Sequence, residues 1–178
     1  MENIVKVLES GSSQEKIKIL ETLDKTDNPE VLEKIISKLD DNDIQVRGEA
    51  FSSLVLNKNK ISNILIQNLN STSKNIRGFA ALALANRNEI DSIHNITKLA
   101  KDECSMVRSC AIGALGHLKA KEAKDIFLDS VLDTNVEVRK SALHAIINLK
   151  FPISEDKVNE ISKDADSELL KMLSKLKK

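Results

Sequence analysis

The sequence predicts an all-α fold, an α-α superhelix of about six stacked helix pairs. Three observations predict it. Four of the five arginines, Arg47, Arg77, Arg108 and Arg139, are separated by 30, 31 and 31 residues, while 22 of the 27 basic residues are lysine. Arginine kept at one place per unit marks a repeat with a structural guanidinium. The neighbours of each arginine fall into columns that trace one helix face. Aromatics make up 2% of a chain that is 41% hydrophobic, with no Trp or Tyr. The core is therefore built from Leu, Ile, Val and Ala, and two prolines with five glycines are too few turn residues for an all-β fold.

Taken in order, the elements follow from that register. The first repeat is a faded copy: Lys16 stands 31 residues before Arg47, with Ile19, Leu20 and Leu23 at +3, +4 and +7. Asn28 before Pro29 is an N-cap followed by proline at the first helical position, opening a helix over about Pro29–Leu39. Four full repeats then place Val46, Ile76, Val107 and Val138 at −1 and Ala50, Ala80, Ala111 and Ala142 at +3. Phe51, Ala81, Ile112 and Leu143 stand at +4, and Leu54, Leu84, Leu115 and Ile146 at +7. The +6 column, Ser53, Ala83, Ala114 and Ala145, is small and admits a neighbouring helix closely. Between these helices lie the amphipathic stretches Lys60–Leu69, Asp91–Lys101, Lys121–Leu132 and Ser154–Lys163. Ser154 with Glu155 and Asp156 supplies a cap and negative charge to a helix N-terminus. The last repeat fades again, with Leu170 in the arginine column and Leu173 at +3, as a terminal cap should. The whole, 1–178, is one repeat domain with approximate units 1–26, 27–58, 59–88, 89–119, 120–150 and 151–178.

Six residues before each arginine stands Asp41, Ser71, Asp102 or Asp133. A guanidinium near the start of a buried helix needs acceptors, and a carboxylate offers bidentate pairing. The arrangement this suggests is a ladder of Asp–Arg contacts between repeats, running through the inter-helix turns and interrupted at Ser71.

The phrases DNDIQVRGEAF, DECSMVRSCAIGALGHL and DTNVEVRKSALHAI resemble HEAT repeats, closest to the short phycobilisome-lyase-like variety. The resemblance covers nearly the whole chain. It implies a right-handed solenoid used as a protein-binding scaffold, with enzymes a minority. It also implies that the second helix of each pair lines a concave surface. The exposed positions there are +1, +2, +5 and +9: Gly48, Glu49, Ser52, Leu56; Gly78, Phe79, Leu82, Asn86; Ser109, Cys110, Gly113, His117; and Lys140, Ser141, His144, Asn148. Of these, Glu49, Leu56, Phe79, Leu82, Cys110, His117, Lys140 and His144 are the candidate protein-binding residues. Leu56, Phe79, Leu82 and Cys110 form an apolar strip suited to a protein or peptide, unless Phe79 and Leu82 fold down between helices as core. Gly113 and Gly116 either allow close helix packing or leave room for a partner's backbone.

Catalytic and metal motifs are not evident. None of His94, His117 and His144 is followed by Glu, so the His–Glu pairs by which HEAT-repeat hydroxylases hold iron are missing. His117 and His144 alone lack a third ligand. Cys104 and Cys110 are not a CxxC pair, and a nucleophilic Cys110 with His117 is set against an inert thiol. No phosphate loop or serine elbow occurs. No catalytic residue, cofactor or metal is therefore expected. The net charge is zero, and the candidate groove holds Lys140 beside Glu49 without Trp or Tyr, so nucleic-acid binding is disfavoured. Neither a signal segment nor an 18-residue apolar run is present, and two cysteines are too few for a disulfide framework. A cytoplasmic protein with a protein or peptide partner is expected.

Overall fold

The computed structural model describes residues 2–176. Among them are twelve α-helices and short 3-10 turns, with no strand. They form two compact units, residues 1–92 and 93–178.

The first unit holds α1 (Glu2–Ser10), α2 (Ser13–Leu20), α3 (Pro29–Ser37), α4 (Ile44–Leu56), α5 (Ser62–Asn68) and α6 (Lys74–Asn86). The first helices pack on one another in the order α1, α3, α5, and the second helices in the order α2, α4, α6. Two layers result, with the core between them. The second unit repeats the plan with α7 (Ile93–Lys98), α8 (Ser105–His117), α9 (Lys124–Ser130), α10 (Val136–Leu149), α11 (Glu155–Ser162) and α12 (Ser167–Leu173). There α8 packs on α10, and α10 on α12.

Local chemistry sets the helix starts. Asn28 accepts from the Val31 amide with Pro29 at N1, and Ser154 accepts from the Lys157 amide. Ser12 and Glu15 close a reciprocal capping box on α2. The first helices are shorter than the sequence periodicity suggests. α3 and α7 each end in a 3-10 turn, Lys38–Asp40 and Leu99–Lys101, and α9 begins after one, Lys121–Ala123. Tightening to i→i+3 satisfies end groups that have no α-helical partner.

The predicted inner face is the core. The −1, +3, +4 and +7 residues are buried in all four repeats, except that Phe51 and Ile76 are half-buried. Three helices end with a non-glycine residue in the left-handed region, Asn88, Lys119 and Lys150, again 31 residues apart. Each completes a C-terminal motif in which the next amide bonds back into the helix, as Ala120 does to Leu115 O at 3.0 Å.

The small +6 column carries one anomaly. Ser53 is 3% exposed, and its hydroxyl has no hydrogen-bond partner, where the other repeats have alanine. A buried, unpaired hydroxyl is destabilising. Ser53→Ala should therefore raise stability by about 1 kcal/mol, with alanine's helix preference adding to the gain. A thermal midpoint at or below the wild-type value would contradict this.

Candidate protein-binding face

The turns that lead into α4, α6, α8 and α10 are built by one device. The side chain six residues before the arginine accepts an amide two residues on: Asp41 from Asp43, Ser71 from Ser73, Asp102 from Cys104 and Asp133 from Asn135, at 2.8–3.2 Å. The arginine then donates to that same residue's backbone carbonyl: Arg47 to Asp41 O, Arg77 to Ser71 O, Arg108 to Asp102 O and Arg139 to Asp133 O, at 2.7–3.0 Å. Within a repeat, then, the aspartate shapes the turn and the guanidinium holds its carbonyl.

The ion pairs run to the following repeat, 25 residues on. Arg108 forks onto both oxygens of Asp133 at 2.8 Å. Lys16, in the arginine column of the first repeat, reaches Asp41 at 2.8 Å, and Arg139 approaches Asp164 at 3.4 Å. Burial is the largest single influence on the carboxyls of Asp41 and Asp133 and would raise them, but the hydrogen bonds from Lys16 and Arg108, the turn amides of Asp43 and Asn135 and the charge of the nearby cations together outweigh it and hold both below the usual carboxylate range. Arg139 is buried, and its Nε has no partner.

A second set of cross-repeat bonds lies at the opposite ends of the second helices of the first unit. Asn57, buried, donates to Thr26 O at 2.7 Å. Arg87 donates to Leu54 O at 3.0 Å, to Asn57 O, to Asn59 O at 2.9 Å and to Glu89 at 3.2 Å. Its side chain is 7% exposed. Thr26, Asn57 and Arg87 all stand ten residues after the arginine-column position. That column was the available signal for the fifth arginine, which sequence reasoning left unassigned.

In the first unit the expected surface residues lie on α4 and α6. Leu56 is 63% exposed, and Glu49 is half-buried. A Cβ added to Gly48 would meet no atom of a neighbouring element within 4 Å. Phe79 and Leu82 are half-buried, and the Phe79 ring leans on Phe51 with centroids 6.0 Å apart. Phe79 thus belongs partly to the packing between α4 and α6 and partly to the surface. Gly78, expected on the surface, is buried.

In the second unit His117 and His144 are exposed and line one open cleft of about 290 Å³ with Gly113, Gly116, Ser141, Ala145 and Asn148. The two glycines divide their roles. A Cβ on Gly116 would lie 3.0 Å from Ala145 Cβ, a tight contact that would push α8 and α10 apart by a few tenths of an ångström, whereas Gly113 faces open space. No cluster of three or more potential metal-ligating side chains occurs among the described residues.

Lys140 departs from expectation. It does not stand free on the surface: its side chain is 13% exposed and meets Glu168 at 2.7 Å, Asp166 at 2.9 Å and Glu137 at 3.3 Å. Three carboxylates, two of them brought by α12, hold the ammonium, and their hydrogen bonds raise its pKa. Cys110 is half-buried beside Met106, with the sulfurs 3.6 Å apart. Burial, with a smaller contribution from Cys104, pushes its thiol up to about 11, which disfavours the thiolate a nucleophile needs.

The model of HEAT repeats matches residues 62–147. No curated protein matches the chain in sequence. Among solved structures, the complex of CpcE and CpcF of phycocyanin lyase from Nostoc is similar, with a TM-score of 0.70 at 16% identity over 85% of this chain and 100% of that one. A designed armadillo repeat protein in complex with the peptide (KR)4 has a TM-score of 0.59 at 19% identity, over 98% and 96% of the two chains. An engineered protein has 0.57 at 20% identity, over 98% and 94%. The fold class is all-α, shared with these repeat-protein neighbours. No helix among the described residues is long and apolar enough to cross a membrane.

Proposed function

We propose that this HEAT-like chain is a protein-binding scaffold whose first unit docks a protein segment on the second-helix face formed by α4 and α6. The observation that carries the reading is Leu56, a large apolar side chain 63% exposed, on the same unit as the half-buried Phe79 and Leu82. Apolar anchors ringed by polar groups suit a protein contact. The fold commonly serves as a scaffold, and one structural neighbour holds a peptide. An enzyme or enzyme partner, as the phycocyanin lyase neighbour suggests, is the alternative. It needs convergent titratable groups, and the cleft with His117 and His144 has neither carboxylate nor thiol among its lining residues. The free thiols Cys104 and Cys110 suit the reducing cytoplasm, which we take as its compartment.

Affinity capture from the native cells, with quantitative mass spectrometry, tests the scaffold reading. Leu56→Ser should leave the helical content and melting temperature unchanged. It should also weaken capture of a directly bound partner by about 30-fold, the equivalent of about 2 kcal/mol at an anchor. Phe79→Ala should weaken the same partner but also lower the melting temperature, because it removes the contact with Phe51. Identical capture by the wild type and Leu56→Ser would refute docking on this face.

A further inference from the structure

We propose that the segment docking on α4 carries a lysine or arginine close to an apolar side chain, the cation meeting Glu49 and the apolar group covering Leu56. This inference rests on the scaffold reading and adds the chemistry of the partner. Glu49, Ser52 and Leu56 follow one another at helical spacing along a single stripe of α4, with Glu49 and Leu56 about 10 Å apart along the axis. Gly48 beside them faces open space, so a partner's backbone can approach the helix there.

The charge on this stripe is uncompensated. Neither Glu49 nor Glu21 of the α2 C-cap has an ion pair among the described residues, although Lys16, Lys34 and Arg87 pair with carboxylates elsewhere in the unit. Glu49 is half-buried. Burial first, and then the charge of Glu21, push its carboxyl above the ordinary value. An unpaired, partly desolvated carboxylate facing a like charge is relieved by an incoming cation and worsened by an incoming anion. Leu56, two turns along, supplies the apolar half of the recognition.

The test uses three capped, fluorescent dodecapeptides, alternating Lys–Leu, Glu–Leu and Lys–Ser, titrated by anisotropy against the full chain. Lys–Leu should bind at least about tenfold more tightly than either other peptide. Glu49→Gln should weaken Lys–Leu about fivefold and flatten its dependence on salt, with an unchanged melting temperature. Leu56→Ser should weaken it as much while leaving the salt dependence intact. Equal binding of Glu–Leu and Lys–Leu, or undiminished affinity in Glu49→Gln, overturns the cation assignment. If Leu56→Ser still loses binding in that case, the docking face stands without it. Failure of all three peptides to bind overturns the inference, and a partner still lost on Leu56→Ser in the capture experiment keeps the scaffold reading separate.

Discussion

Arg87→Ala should destabilise residues 1–92 by about 3–4 kcal/mol, the largest loss expected from any polar substitution in the unit. The guanidinium is nearly buried and ties the C-terminal end of α6 to three carbonyls, those of Leu54, Asn57 and Asn59, and to Glu89. Removing it leaves those carbonyls partly desolvated and unpaired, which costs more than the net worth of the bonds. A drop in melting temperature of about 15 °C is expected for this unit, together with faster amide exchange in the segment after α4. Arg87→Lys keeps the charge but cannot fork onto several carbonyls, so it should recover less than half of the loss. An alanine variant that melts with the wild type would show that water replaces the clamp.

Arg108→Ala should cost about 2–3 kcal/mol in residues 93–178. Two different supports disappear together: the bidentate pair with Asp133, and the bond to Asp102 O that closes the preceding turn. Asp133, 14% exposed, keeps only its amide and turn contacts. The effect depends on pH with a definite sign. The folded carboxyl of Asp133 titrates below its ordinary value, so the pair contributes fully above the unfolded pKa of about 4 and is lost as pH falls through the folded value. The stability gap between wild type and Arg108→Ala should therefore narrow in acid. A gap that is absent at neutral pH, or that widens on acidification, would show that the fork contributes little.

Which parts of this were legible beforehand follows from what each depends on. The spacing of Arg47, Arg77, Arg108 and Arg139 located four turns, because each arginine binds a carbonyl six residues before it, within its own repeat. The partner carboxylate lies 25 residues on, so the column alone left open which aspartate receives which arginine. Arg87 escaped notice because arginine occurs only once at its place in the repeat, and its work is done by geometry between neighbouring units. Lys140 looked like a surface charge for a similar reason: Asp166 and Glu168 come from the last repeat, where the pattern has faded and their positions were not readable.

The sequence by itself determined the repeat, the helical face that is buried, the caps at Asn28 and Ser154, and the place of the four arginine-bound turns. These are properties of one unit, set by a 3.6-residue period and by side chains bonding to nearby backbone. Only the tertiary structure decided how the second-helix residues divide. Leu56 is open, Phe79 leans on Phe51, Gly116 touches Ala145 while Gly113 is free, and Lys140 is taken by three acids. Exposure at these positions depends on side chains of the adjacent repeat, roughly thirty residues away, and no periodicity within a single helix encodes how closely that neighbour packs.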